Sequence, residues 1–215
     1  MILDIPPARA KLFRETISNY ERDALHLGAI RRMPAVTFSG SEENLRAVLQ
    51  KHFGIRYLAP CDPSDSGLDT GSVDCITSTD TLEHVPLDHM RAILRECHRL
   101  LCDDGIMCCR IDYKDHYSYF DKSISIYNFL EYSTIQWDSF NPPLHYQNRM
   151  RHKDFLKVFK ETNFDIVEEN CEEGTGQDLA TIEGLRTDEM FVRYSLEELA
   201  VRSAYVVLRK SHCIT

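Results

Sequence analysis

The sequence predicts an α/β protein in which helices cover a largely parallel sheet. Two short apolar runs, residues 73–76 and 106–111, are typical of strands buried in a parallel sheet. Between them, apolar residues recur at helical spacing, and the set is Met90, Ile93, Leu94, Cys97, Leu100 and Leu101. The order of strand, helix and strand predicts a βαβ unit with a right-handed crossover.

Apolar periodicity and turn residues also predict the elements that precede this unit. Residues 2–5 form a short apolar strand that two prolines end, and residues 8–27 keep one apolar helical face. A second helix is predicted over residues 41–53, with Ser41 as its N-cap. Residues 55–59, which a proline closes, predict a further strand.

The helix of the βαβ unit has recognisable ends. Asp88 lies near its start, and Asp103-Asp104-Gly105 predicts its exit turn. In this turn Gly105 is expected to supply the backbone freedom that a helix end needs.

The chain after the second strand begins with a segment rich in aromatic residues and then returns to regular structure. Residues 113–150 are either an inserted lid or substrate-binding segment, or a small aromatic core. A helix is predicted over residues 153–162, followed by strands at 164–168 and 203–208.

Composition and charge limit the classes of function. The 215 residues are 43% hydrophobic and 27% charged, which is ordinary for one globular domain. A formal charge of -9 disfavours nonspecific binding to nucleic acid or to an anionic membrane, so a small-molecule substrate is the simpler expectation. The sequence shows neither a signal peptide nor a membrane span, and its eight cysteines have no metal-site spacing. We therefore expect a cytoplasmic protein with reduced thiols.

Three short motifs stand out in the βαβ unit: Thr81-Leu82-Glu83-His84-Val85 after the first strand, Glu96 with Arg99 and Leu101 in the helix, and Asp103-Asp104-Gly105 at its exit. Together they resemble the motifs of class I S-adenosylmethionine-dependent methyltransferases, which have Pro-Gly-Gly at the last of these places. The resemblance extends less sharply from about residue 2 to the end. It implies a Rossmann-like sheet covered by helices, with an antiparallel last strand, in a single domain over residues 1–215. It also implies S-adenosylmethionine as the cofactor.

The resemblance assigns four residues to that cofactor. Asp4 would end the family's second strand and accept hydrogen bonds from the ribose hydroxyls, or it is an ordinary turn acid. Asp62 falls near the adenine edge, or it caps the loop that follows it. Ser78 and Thr79 end a strand and should border the methionine part of the cofactor, because ligands of open sheets bind beyond the carboxyl ends of the strands.

His116 is the candidate general base, because its ordinary pKa lies near working pH; the alternative is a packing histidine. Glu83 and His84 are adjacent, but their neighbours match no metal-ligand spacing. We expect a structural role for this pair and no metal.

One family feature is missing from the printed sequence. No strand with a glycine-rich turn precedes Asp4, so the chain is expected to be either an N-terminally truncated member or a divergent one whose opening is rebuilt. A sheet without that strand predicts exposed edges that favour an oligomer, and weak or no binding of S-adenosylmethionine. Three functions follow as hypotheses. The first is methyl transfer to an unidentified acceptor, and the second is an inactive remnant or interaction module. The third, a nucleotide-dependent oxidoreductase, is disfavoured because no dinucleotide fingerprint is present.

Overall fold

The structure is a computed structural model that describes residues 46, 47 and 49–211. Contacts group the chain into two compact units, residues 1–61 and 62–215, and each is described by itself. The strand predicted at residues 2–5 and the helix predicted at 8–27 lie outside the described residues.

The described part of the first unit corrects one predicted strand. The helix predicted over 41–53 ends in a π-helical turn, Leu49–Phe53, and Gly54 follows it with a left-handed φ of 68°. Residues 55–59 are irregular, and the strand predicted there is wrong. Their apolar side chains are exposed, and the Ala59 carbonyl accepts a hydrogen bond of 2.8 Å from the Arg46 side chain. Strand propensity alone forms no sheet without a partner strand.

A four-stranded mixed sheet organises the second unit. Its strands are β1 (Val73–Thr79), β2 (Leu101–Asp112), β3 (Phe164–Glu172) and β4 (Ser203–Lys210), in the spatial order β1, β2, β4, β3. The β1 and β2 strands are parallel, whereas β4 runs antiparallel to both β2 and β3. The predicted pairing of the βαβ strands and the antiparallel last strand are confirmed. Among the described residues, no strand pairs with the other edge of β1.

Six helices accompany the sheet in the described part of the second unit. They are α1 (Leu87–Leu100), α2 (Tyr117–Phe120), α3 (Thr134–Phe140), α4 (His152–Glu161), α5 (Gly176–Gly184) and α6 (Leu196–Ala200). Short 3-10 turns lie at Leu82–His84, Asn128–Glu131, Pro143–His145 and Glu189–Phe191. The α1 helix buries Met90, Leu94 and Cys97 of the predicted apolar face against the sheet. The periodicity argument for this helix is confirmed.

The predicted exit turn of α1 lies inside the bounds of β2. Leu101 already pairs with Val73, and the ladder then resumes at Ile106 opposite Cys75, so residues 102–105 bulge out of register. A Cβ atom on Gly105 would lie 3.0 Å from the Cys102 carbonyl oxygen and 3.2 Å from the Asp74 carbonyl oxygen. Glycine is therefore needed here for the close approach of the backbone, and not for the backbone freedom of a helix end that the sequence predicts.

Two apolar cores lie in the second unit. The first packs α1 and α4 against the sheet. The second is aromatic, and its members are Tyr127, Phe129, Leu130, Trp137, Ile182, Phe191, Tyr194, Leu199 and Ala200. The aromatic segment at residues 113–150 thus contributes to a small core, but residues from 182–200 complete it.

Arg151 lies between the two cores with no exposed side-chain surface. Its guanidinium donates to the carbonyls of Tyr113 at 2.8 Å, Leu199 at 2.8 Å and Val201 at 2.7 Å. It also contacts one ring of each core, Tyr113 and Phe129. Burial lowers the pKa of Arg151 to about 10, so the group stays charged at neutral pH.

Glu96 and Arg99 of α1 hold the loop that enters β1. The Glu96 carboxylate accepts hydrogen bonds from the Ser66 N–H and hydroxyl at 3.1 and 2.6 Å, and from Arg99 at 2.8 Å. Arg99 also donates to the Leu68 carbonyl and to the Thr70 hydroxyl. The Glu-x-x-Arg motif of this helix therefore fixes the approach of the chain to the first strand.

We expect Arg151→Leu to lower the free energy of unfolding by about 3 kcal/mol or more, because three buried carbonyls lose their donor. Arg95→Leu, at an exposed position of α1, is the control and should change it by about 0.5 kcal/mol or less. Urea unfolding measures both. Equal stability of the two variants would contradict the role given to Arg151.

Glu96→Gln should remove a pH-dependent part of the stability. Hydrogen bonds from Arg99 and Ser66 lower the pKa of Glu96 from its ordinary 4.5 to about 2. The stabilisation is therefore complete above pH 4.5 and is lost as the pH falls through about 2.

At pH 7 we expect Glu96→Gln to cost about 1 to 2 kcal/mol, since Arg99 is partly exposed. The difference from the wild type should shrink towards pH 2. Unfolding curves across this range measure it, with the exposed Glu183→Gln as control. A difference that stays constant with pH would show that the carboxylate charge does not matter.

Candidate functional site

Polar residues gather where β1 and β2 end at the same edge of the sheet. Asp80 directly follows β1 with a left-handed φ of 49°, and its N–H donates to the Arg110 carbonyl at 3.0 Å. Its carboxylate forms an ion pair with the Arg110 side chain. A non-glycine residue in this conformation is uncommon and redirects the chain into the turn Leu82–His84.

Glu83 is a buried carboxyl group at the base of this site, with 1% of its surface exposed. Its Oε1 accepts the N–H of Asp112 at 3.4 Å, whereas its Oε2 is buried without a hydrogen-bond partner. Burial raises the pKa of Glu83 to about 7, and the negative charge of Asp80 adds to the effect. Glu83 thus joins the turn after β1 to the end of β2.

His84 is held in one orientation by the backbone of a neighbouring loop. Its Nδ1 lies 2.7 Å from the Tyr146 carbonyl oxygen. The ring of His84 lies 4.8 Å from the ring of His116, which comes from the segment after β2. The fold therefore brings together two histidines that are far apart in sequence.

His116 is buried at the centre of the site, with 8% of its surface exposed. Its ring stacks on Tyr119 at 5.1 Å, and its backbone N–H donates to Gln147 Oε1 at 3.1 Å. Its Nε2 lies 3.7 Å from Asp112 Oδ2 and has no hydrogen-bond partner.

Asp112 is a functional candidate that the sequence analysis did not single out. Its carboxylate accepts the Tyr119 hydroxyl and the Lys114 N–H. Burial alone would raise the pKa of Asp112, but its interactions with His116, Tyr119 and Lys114 outweigh burial and lower it to about 2. Asp112 is therefore ionised beside His116. An acid directly after the predicted apolar strand 106–111 was the available signal.

The described residues of the second unit form a cavity and a groove that bear on the site. A cavity of about 270 Å³ is bordered by His84 and by residues 143–146. A second groove of about 210 Å³ includes Trp137, Arg149 and Arg193. His84, whose ring lies beside His116, connects the first of these surfaces to the polar residues at the strand ends.

Comparison with known proteins finds a family match over part of the chain. Residues 24–109, two fifths of the 215 residues, match the family model of a methyltransferase domain. Among curated proteins, none matches the sequence.

Solved structures of similar fold include several methyltransferases. A candidate methyltransferase from Bacillus halodurans C-125 is 14% identical, with 74% of this chain and 79% of that chain covered at a TM-score of 0.46. The 1,6-didemethyltoxoflavin-N1-methyltransferase of Burkholderia thailandensis, with bound S-adenosylhomocysteine, is 14% identical; 81% of this chain and 59% of that chain are covered, at a TM-score of 0.46.

A third example is the geranyl diphosphate C-methyltransferase of Streptomyces coelicolor A3(2), in complex with Mg²⁺, geranyl diphosphate and S-adenosylhomocysteine. It is 13% identical, with 78% of this chain and 58% of that chain covered at a TM-score of 0.46. The present chain thus spans less than two thirds of the length of the last two structures.

The residues predicted to contact the cofactor have different surroundings. Ser78 and Thr79 end β1 opposite Cys109 and Arg110, directly before Asp80 and the polar cluster. Asp4 lies outside the described residues and also before the family match, which begins at residue 24.

Asp62 makes the interactions of the capping alternative. Its Oδ1 accepts the Ser64 N–H at 2.8 Å and the Ser64 hydroxyl at 2.7 Å, and these bonds lower its pKa. The charge of His89, in the first turn of α1, lowers the pKa of Asp62 further.

Within residues 46–47 and 49–211, none of the helices has both the length and the apolar character needed to cross a membrane.

Proposed function

We propose that the protein is an S-adenosylmethionine-dependent methyltransferase that acts on a small molecule. The observation that carries the proposal is the buried polar cluster of Glu83, Asp112 and His116 at the carboxyl ends of two parallel strands. This is where open α/β sheets bind ligands. The family match covers β1, the turn after it and most of β2. Two similar structures contain S-adenosylhomocysteine, the product form of this cofactor.

Methyl transfer requires little covalent chemistry from the protein itself. The acceptor atom attacks the methyl carbon, the carbon–sulfur bond breaks, and S-adenosylhomocysteine leaves with the electron pair. Catalysis then depends on alignment, and on a base where the acceptor must lose a proton. The cluster of Glu83, Asp112 and His116 lies beside the strand ends and contains a histidine nitrogen without a hydrogen-bond partner, which would serve as this base.

His116 is the candidate base in this scheme. Its Nε2 has no hydrogen-bond partner and would take the proton of an acceptor hydroxyl or amine. The ionised Asp112, 3.7 Å away, would then stabilise the imidazolium. Tyr119 and Gln147 hold the two groups in this arrangement.

Ser78 and Thr79 are the proposed contacts to the methionine part of the cofactor. Both precede Asp80 at the end of β1, and Asp62 is the proposed contact near the adenine edge. The assignment of Asp4 to the ribose, the single-domain organisation and a cytoplasmic location stay predictions.

An inactive interaction module is the second candidate function. Within the described residues β1 pairs only with β2, and an unpaired strand edge can bind another chain. Oligomerisation through this edge is a prediction that light scattering tests. Absence of any cofactor binding would favour this candidate.

Titration with S-adenosylhomocysteine tests the proposed function. The only tryptophan of the sequence, Trp137, donates to the Gln147 carbonyl, and the Gln147 side chain contacts the His116 backbone, so Trp137 fluorescence should report binding. Ser78→Ala and Thr79→Val should each weaken binding roughly 2- to 12-fold, the equivalent of one hydrogen bond.

Ser72→Ala is the matched control for this titration. Ser72 precedes the other end of β1 and donates to the Asp69 carbonyl, so its loss should leave the affinity unchanged. The sequence predicts weak or no cofactor binding because the glycine-rich turn is missing, so the affinity of the wild type is itself a result. If the wild type bound no cofactor, the proposed methyltransferase function would fail. If Ser72→Ala weakened binding as much as the other two variants, the site would lie elsewhere.

A further inference from the structure

Glu83, His84 and His116 form a cluster that the methyltransferase proposal does not fully use. Each side chain offers a ligand atom, and these atoms all lie within 4.8 Å of one another. Glu83 and His116 are buried, and His84 is half-buried. We propose that these three residues bind a divalent transition-metal ion.

The hydrogen bond of His84 fixes which of its nitrogens is free. A carbonyl oxygen only accepts, so the Nδ1 that lies 2.7 Å from the Tyr146 oxygen must carry the hydrogen. In the neutral ring, Nε2 then keeps its lone pair. Metal-bound histidines usually donate their second N–H to a carbonyl or carboxylate in this manner, which orients the ring before the ion arrives.

Glu83 and His116 also have unused ligand atoms. Glu83 Oε2 and His116 Nε2 are both buried without a hydrogen-bond partner. A buried polar atom without a partner costs roughly as much as a broken hydrogen bond, and such atoms call for an explanation. Two of them beside an oriented histidine are the arrangement that a cation would satisfy.

The ligand set selects the kind of ion. Two imidazoles and one carboxylate suit Zn²⁺ and similar transition metals, whereas Mg²⁺ prefers oxygen ligands. Ligand atoms on one such ion lie roughly 3 to 4 Å apart, because each bond is about 2.0 to 2.2 Å long. Small side-chain rotations would therefore bring the cluster onto the ion.

Three protein ligands leave one position of a tetrahedral site open, as in catalytic zinc sites. His84 also borders the cavity of about 270 Å³, so this position has a route to solvent or to an acceptor molecule. We assign the open position to an oxygen atom of water or of the acceptor.

A second cluster, His152 with Glu169 and Cys171, also offers three possible metal ligands, but its histidine is already hydrogen-bonded. Both nitrogens of His152 are already engaged, Nδ1 with the Tyr113 hydroxyl at 2.9 Å and Nε2 with Glu169 at 2.8 Å. A metal there would have to break existing hydrogen bonds. The first cluster is therefore the one that favours an ion.

The base role proposed for His116 refers to the metal-free protein. With the ion bound, Nε2 is a ligand and does not take the acceptor proton. The metal site itself does not depend on the methyltransferase proposal, and it is tested without cofactor or acceptor.

The experiment is a titration of the metal-free protein with Co²⁺ and Zn²⁺, followed by visible absorption of bound Co²⁺ and by calorimetry. The wild type should bind one ion per chain, with Mg²⁺ bound more weakly. Glu83→Gln, His84→Ala and His116→Ala should each weaken binding about tenfold or more, since even residues behind the ligands contribute 10- to 100-fold. Glu83→Gln keeps the size of the side chain, and circular dichroism checks the fold of each variant.

His89→Ala, at an exposed histidine of α1, is the matched control and should bind like the wild type. Cys171→Ser tests the second cluster and should also leave binding unchanged. The proposal is overturned if the wild type binds neither ion. It is equally overturned if Cys171→Ser abolishes binding, or if folded Glu83→Gln binds as tightly as the wild type.

Discussion

The second unit depends on one buried charge. Arg151 joins the sheet core to the aromatic core, because its guanidinium bridges the carbonyl of Tyr113, after β2, and the carbonyls of Leu199 and Val201, before β4. The cost of burying the charge is offset by these hydrogen bonds and by two aromatic rings. Tyr113 precedes His116 by three residues. The same contact that holds the cores together therefore fixes the start of the segment that carries the candidate base.

The motifs that identify the family and the residues that could do chemistry are largely different. Glu96 and Arg99 belong to a family motif, yet their hydrogen bonds hold the loop before β1 and have a structural purpose. The family match ends at residue 109, before Asp112 and His116. The family match therefore covers β1, α1 and most of β2, whereas the residues proposed to face the acceptor follow it in the chain.

Sequence reasoning succeeded where the signal is local. The helical spacing in α1 and the apolar runs of β1 and β2 depend on neighbouring residues, so the βαβ unit could be predicted. Residues 55–59 were wrongly predicted because strand formation needs a partner that propensity does not supply. The role of Gly105 depends on the approach of Asp74, which is distant in sequence.

The residues of the candidate site could likewise be predicted only where the sequence signal is local. His116 could be named as a candidate because it follows a predicted strand. The contact between Glu83 and Asp112 could not be predicted, since it joins residues 29 apart. The grouping of Glu83, His84 and His116 could not be predicted for the same reason: Glu83 and His84 have no ligand spacing of their own, and only the parallel pairing of β1 with β2 places His116 beside them.

The central claim is that ligands bind where β1 and β2 end. The most direct measurement is a crystal structure of the protein grown with S-adenosylhomocysteine. The account predicts density for the ligand against residues 78–80, with its sulfur facing the side of His116. Density in the groove beside Trp137, Arg149 and Arg193, with none at the strand ends, would contradict it.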